Sequence, residues 1–174
     1  DASMASWAIN GLFSGVGPSL PSGYIGTDVV SCTVIPSDGR GSGDAIFDTI
    51  VVANTAPSVG AVSISPPAAV VGDTLTCSYT GYDDVDGDSD HSTYRWFVNE
   101  VEVETGDTLV GGFAGSDTIR CEVTPNDSMD AGSPVSGSQT IWNTPPSIDG
   151  VSLDPADPQT AETVTCSWSG YADA

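Results

Sequence analysis

The residues best equipped for chemistry are the aspartates of "GYDDVDGDSDHSTYRW", Gly81 to Trp96. Five of them, Asp83, Asp84, Asp86, Asp88 and Asp90, fall within eight positions. Clustered carboxylates beside a turn glycine can supply the oxygens that calcium takes, about six to eight in number. The spacing differs from the D-x-D-x-D-G loop, because Gly87 stands at the fourth position rather than the sixth. The competing reading is a hydrated acidic loop that keeps the protein dissolved. Paired carboxylates in a cleft are also the machinery of acid–base catalysis and glycoside hydrolysis. The one histidine, His91, follows Asp90, so a Ser-His-Asp or Cys-His relay would have to be built on it.

The 174 residues include 24 acidic and 3 basic side chains, a formal net charge of -21. Such a polyanion repels nucleic acid and anionic lipid and attracts divalent cations. Gly, Ser, Thr, Asp and Val dominate and lysine is absent, the profile of an all-β chain with many turns. No stretch has the roughly 18 apolar residues needed to span a membrane, so no membrane insertion is expected. The opening "DASMASWAING" lacks the basic region and apolar core of a signal peptide. Export would be directed by something outside this sequence.

The strongest signal is an internal repeat. Trp7 and Trp96, Cys32 and Cys121, and Cys77 and Cys166 are all 89 positions apart. The same offset pairs Asn10 with Asn99, Asp28 with Asp117, Pro36 with Pro125, and "NTAPS" at 54–58 with "NTPPS" at 143–147. Sliding the chain by 89 aligns 85 residues without a gap, 28 of them identical. Within one unit, alternation marks the strands. Leu75, Cys77 and Tyr79 share one face of "TLTCSYTG"; Tyr94, Trp96 and Val98 share one face of "TYRWFVN". Ile119, Cys121 and Val123 do the same in "TIRCEVT". Asn10-Gly11 is a strong hairpin-turn signal, and Asn99-Glu100 occupies that place in the next copy.

The order Cys77, Trp96, Cys121 resembles an immunoglobulin-like sandwich, in which cysteines on strands B and F bridge the two sheets beside a strand C tryptophan. That resemblance implies a Cys77–Cys121 disulfide, with Trp96 and Trp7 as core residues packed on such bridges. A disulfide implies an oxidising compartment. The four cysteines lack any C-x-x-C pairing, which speaks against zinc.

"NTAPS" and "NTPPS" read as joints, because proline and turn residues punctuate there. The expected organisation is residues 1–54 as the rear half of a repeat, 55–143 as a complete repeat, and 144–174 as the front half of the next. Cys32 and Cys166 then lack in-domain partners, and a whole domain separates them. Asp1 aligns with Asp90 and Ala174 with Val85, and the four residues short of two full repeats match Asp86 to Ser89. The chain therefore reads as one lap of a longer linear array, in which Cys166 of one copy bridges to Cys32 of the next. The copies are either covalently continuous or separate subunits that trade half-domains. An arbitrary boundary is the plainer alternative.

"NTAPSVGAVSISP", "GDTLTC", "GYDDVDGDS", "YRWFVN" and "DTIRCEVTPND" resemble tandem immunoglobulin-like or PKD-like repeats of large surface and secreted proteins of bacteria and archaea. Val30 and Ile119 stand where antibody-type domains place a corner tyrosine, which separates this chain from antibody domains. The resemblance implies an extracellular structural or adhesive module. It also places the acidic stretch in the B–C loop and "PNDSMDAG" in the F–G loop, at one pole beside the joint. Asp127 and Asp130 would then join Asp83, Asp84, Asp86, Asp88 and Asp90 as calcium ligands that stiffen the joint. The third copy has Ala172 in place of Asp83.

Catalysis is not expected, since these carboxylates sit in loops of a small sandwich with no room for a deep pocket. His91 reads as a surface residue whose counterpart is Ala2. Trp142, whose counterpart is Ala53, could pack between domains; it or Trp168 could stack on sugar. Asn126-Asp127-Ser128 matches an N-glycosylation acceptor, but the other copy has Ser37 there. The expected protein is a non-enzymatic extracellular fibre or stalk whose partner is itself. The rivals are an adhesin stalk, with a cell-surface or glycan ligand bound outside this sequence, and a linker array of a secreted enzyme.

Overall fold

The computed structural model describes residues 2–173. Asp1 and Ala174, the ends from which the four-residue shortfall is counted, lie outside the described residues. The fold is all-β, with every strand pair antiparallel. Strands β1 (Met4–Ile9), β2 (Leu12–Val16), β3 (Val29–Ile35) and β4 (Ile46–Val51) form a sheet in the order β2-β1-β3-β4. Strands β5 (Val62–Ser65), β6 (Thr74–Tyr79) and β9 (Thr108–Val110) form a second, in the order β5-β6-β9. Strands β7 (Thr93–Val98), β8 (Val101–Thr105), β10 (Thr118–Thr124) and β11 (Val135–Thr140) form a third, in the order β11-β10-β7-β8. Strands β12 (Gly150–Asp154) and β13 (Thr165–Ser169) pair as a hairpin.

The second and third sheets close into a sandwich with the strand order of an immunoglobulin-like domain, three strands facing four. Alternation along the strands selects what is buried. Leu75 and Cys77 of β6, Trp96 of β7 and Ile119, Cys121 and Val123 of β10 fill the core with Leu109 and Ile141. Cys77 and Cys121 are disulfide-bonded, tying β6 to β10 across the two sheets. Trp96 lies directly across from Cys121 in the β7–β10 register and is fully buried. Its indole N–H donates to the Gly106 carbonyl at 3.0 Å, so burial leaves no polar atom of the ring unsatisfied. Phe97 departs from simple alternation. It is buried on the opposite face of β7, beneath the guanidinium of Arg120 at 3.7 Å from its ring centroid and that of Arg95 at 5.6 Å.

The first sheet is the same four-stranded layer one repeat earlier. Trp7 lies across from Cys32 as Trp96 lies across from Cys121. Its indole N–H donates to Gly17 at 2.9 Å, the counterpart of the bond to Gly106. Both hairpin turns adopt the left-handed conformation that the Asn-Gly signal anticipates: Asn10 and Gly11 have φ of 51° and 79°, Asn99 and Glu100 of 48° and 66°. Cys32 and Cys166 are unbridged. Among the described residues no helix is long and apolar enough to cross a membrane.

The described chain divides into two compact units. One comprises residues 2–59, 81–92 and 125–133; the other comprises 60–80, 93–124 and 134–173. The acidic loop and the "PNDSMDAG" loop thus group with residues 2–59.

Candidate functional site

Within the first unit, the acidic loop is organised around Asp84. Its Oδ1 accepts the N–H groups of Asp86 at 2.8 Å, Gly87 at 3.0 Å and Asp88 at 3.3 Å. This is the local capture of backbone donors that favours aspartate in turns. Gly87, with φ of 82°, makes the sharp reversal. The turn gathers one carboxylate oxygen from each of Asp84, Asp86 and Asp88 within 4.8 Å of one another.

Asp86 is buried and turns toward Gly26 and Thr55. Its Oδ1 accepts from Gly26 N–H at 2.5 Å and its Oδ2 from Thr55 N–H at 2.7 Å. These two backbone donors hold its carboxyl below the usual carboxylate range. Gly26 is required by this approach, because a Cβ there would lie 2.7 Å from Asp86 Oδ2 and 3.0 Å from Asn54 Cα.

Asp127 is the second buried acid of the pole. Asn54 Nδ2 donates to Asp127 Oδ2 at 2.7 Å and to Asp130 Oδ2 at 3.1 Å. Asp127 Oδ1 accepts the N–H groups of Met129 and Asp130, each at 2.6 Å. The Asn54 bond is the largest cause of a lowered Asp127 carboxyl, followed by the Asp130 N–H. Asp88 is shifted the other way. Burial, then the charges of Asp84, Asp127 and Asp86, raise it above its ordinary value. Tyr82, whose hydroxyl donates to the Ser89 carbonyl at 3.3 Å, is raised by burial and by Asp84, Asp90, Asp127 and Asp88. Two buried oxygens, Asp84 Oδ2 and Asn54 Oδ1, receive no hydrogen bond among the described residues.

Of the seven aspartates expected to act together, Asp84, Asp86 and Asp88 converge, and Asp127 and Asp130 meet at Asn54. Asp83 is exposed and joins a two-way backbone bridge with Ser58, each N–H donating to the other's carbonyl at 2.9 Å. Asp90 is exposed, and its Oδ1 accepts from Ser92 N–H at 2.9 Å and Ser92 Oγ–H at 2.6 Å. His91 is exposed and its N–H donates to the Asn126 carbonyl at 2.8 Å. Sequence reasoning missed Gly26, Asn54, Thr55 and Tyr82 as partners of the aspartates. Gly26, Asn54 and Thr55 recur at the 89-residue offset, as Gly115, Asn143 and Thr144, and that recurrence was the available signal. In the other unit, Trp142 and Trp168 expose most of their side chains. The Trp142 backbone N–H donates to the Ala69 carbonyl at 2.8 Å, in a parallel bridge with Val70.

Chemically, the pole clasps the backbone donors of Gly26 and Thr55 and can offer carboxylate oxygens to a hard cation. No protein-family model matches the chain. No curated protein matches it either. A solved two fibronectin type-III domain segment from chicken tenascin is similar to it at 10% identity and a TM-score of 0.47, over 80% of this chain and 84% of that one.

Proposed function

We propose that this chain is a non-catalytic structural protein of the cell exterior, in which immunoglobulin-like repeats follow one another head to tail as a fibre or surface stalk. The observation that carries the reading is the clasp at the joint. Residues 54 and 55 do not form a free tether. Asn54 is hydrogen-bonded to Asp127 and Asp130, and Thr55 to Asp86. The same joint returns 89 residues later. The Ser58–Asp83 backbone bridge has its counterpart in Ser147–Ala172, with N–H to carbonyl distances of 2.8 and 3.0 Å. Short proline-containing joints of this kind limit bending, and a disulfide-closed sandwich resists local opening. The Cys77–Cys121 disulfide supports an oxidising, extracellular setting.

Calcium at the acidic pole belongs to the same reading. Three converging carboxylates, an Asp88 raised by burial and then by its acidic neighbours, and the buried acceptors Asp84 Oδ2 and Asn54 Oδ1 are what a bound dication would relieve. Electron microscopy of the purified protein tests the fibre reading. Filaments with an axial period of one or two domains are expected, and isolated globular particles at all concentrations would overturn it.

A further inference from the structure

The two copies of the four-stranded sheet differ most on the side turned away from the cysteine and tryptophan face. In the complete repeat that side is charged. Arg95 pairs with Glu102 at 3.3 Å and with Glu122, and Arg120 pairs with Glu100 and Glu122, each at 3.0 Å. Both guanidiniums lie over the buried Phe97. At the 89-residue offset the first sheet has none of these charges. Ser6, Gly11, Phe13, Ser31 and Thr33 stand in the places of Arg95, Glu100, Glu102, Arg120 and Glu122. Strands β1 to β4 hold one charged residue, Asp48, and its register with Cys32 puts it on the opposite side. Phe13 on β2 is 74% exposed and Phe47 on β4 is 70% exposed. Phe13 stands level with Ala8 and Ser31, and Phe47 with Thr33 and Ser6, so small half-buried side chains lie between two raised aromatic margins. No strand of the complete repeat covers this side of its own sheet, so it is the ordinary outer side of a sandwich.

We propose that this neutral face docks the same face of a second copy of the chain, in two-fold symmetry. Exposed apolar surface of this kind marks a contact, and charge selects the occupant. The chain has a net charge of -21 and 3 basic residues. A carboxylate pressed onto this face would lose its water with no basic group to meet it. The partner must therefore be uncharged and apolar where it touches. Another uncharged face, the outer side of β5-β6-β9, presents Ser63, Thr74, Thr76, Ser78 and Thr108, hydroxyls that water already satisfies. A second Phe13–Phe47 face meets both conditions. Four strands about 4.8 Å apart, each about six residues long at about 3.3 Å per residue, span roughly 400 Å². A stable complex buries roughly 800 Å² per partner, so a single pair binds weakly. Repeats held in one assembly add such contacts together. The contact is lateral and does not depend on the head-to-tail reading.

The test is photocross-linking of the full chain with the photoreactive analogue p-benzoylphenylalanine in place of Phe47. The labelled protein is mixed with wild type grown on heavy nitrogen, irradiated and mapped by peptide mass, so that links between copies are told from links within one. Links from position 47 to β1, β2, β3 or β4 of a heavy copy are expected, with a yield that rises with concentration and with salt, since salt screens the repulsion between two anionic chains. Phe13→Glu in both copies should cut that yield about tenfold or more. Moving the analogue to Phe13 and introducing Phe47→Glu gives the reciprocal measurement and the same expected loss. Ser136→Glu, at the place of Phe47 in the complete repeat, should leave the yield unchanged. Both phenylalanines are exposed, and circular dichroism confirms that each variant folds. Links to a heavy copy only outside β1 to β4, or a yield that neither glutamate lowers, would overturn the proposal. So would the absence of any link to a heavy copy at the highest concentration, which would leave the face to a partner other than this chain. The mapped link without filaments would sink the fibre reading alone, and filaments without the link would sink this inference alone.

Discussion

Asn54 donates its side-chain amide to Asp127 at 2.7 Å, across 73 positions of sequence. The bond ties the "NTAPS" segment to the "PNDSMDAG" loop and is the largest cause that lowers the buried Asp127 carboxyl.

That bond has a pH signature. Asp86 and Asp127 are lowered in the folded state, by the Gly26 and Thr55 N–H groups and by Asn54 respectively. A lowered carboxyl contributes stability above its unfolded value, about 3.9, and the contribution disappears as pH falls through the folded value. Asp88 is raised and has the opposite sign: it weakens the fold once pH rises past about 4, and protonation removes that penalty. The melting temperature should be steady near neutrality and fall below about pH 4. Asp86→Asn should flatten the acid limb, and Asp88→Asn should raise the neutral melting temperature. Circular dichroism melts between pH 7 and 2.5 would show either effect or its absence.

Gly26→Ala should destabilise by about 1–3 kcal/mol, because the new methyl group meets Asp86 and the Asn54 backbone. Gly41→Ala is the control. Nothing lies within 4 Å of a Cβ at Gly41, so the change should stay within about 0.5 kcal/mol. Urea titration of both variants distinguishes a steric lock from a general aversion to alanine.

Replacing both Cys77 and Cys121 by alanine opens a loop of sequence separation 44 and should cost about 4 kcal/mol. The denaturation midpoint should shift accordingly. Loss of less than about 1 kcal/mol would mean that the sandwich is held by packing alone.

Trp96→Ala should cost about 3–5 kcal/mol, since the ring is wholly buried. Trp7→Ala should cost markedly less, because that ring is only half-buried. The two variants measure the same repeat position at two depths of burial.

Calcium should raise the melting temperature and a chelator should lower it, with Asp84→Asn and Asp88→Asn abolishing the difference. Isothermal titration with calcium alone gives a second readout. Identical melts with calcium and with chelator would remove the cation from the account.

Much of the sandwich was legible because burial follows the two-residue period of its strands. Leu75 and Cys77, and Ile119, Cys121 and Val123, are buried as alternation dictates. Phe97 was not legible: its period places it outside, and the arginines that cover it come from β7 and β10. The acidic loop was visible as a cluster, yet its internal division was not. Which carboxylates turn inward depends on Gly26, Asn54 and Thr55, and sequence proximity says nothing about those partners. Asp83 and Asp130 look equivalent in the chain. One bridges through its backbone while the other uses its side chain.

The paired bridges Ser58–Asp83 and Ser147–Ala172 are made entirely by main-chain atoms. An aspartate in one copy and an alanine in the next occupy the same place without changing the bond. A connection written in the backbone is indifferent to the side chains it carries. Successive repeats can therefore drift in charge and in surface chemistry while the backbone bridge near the start of each stays the same.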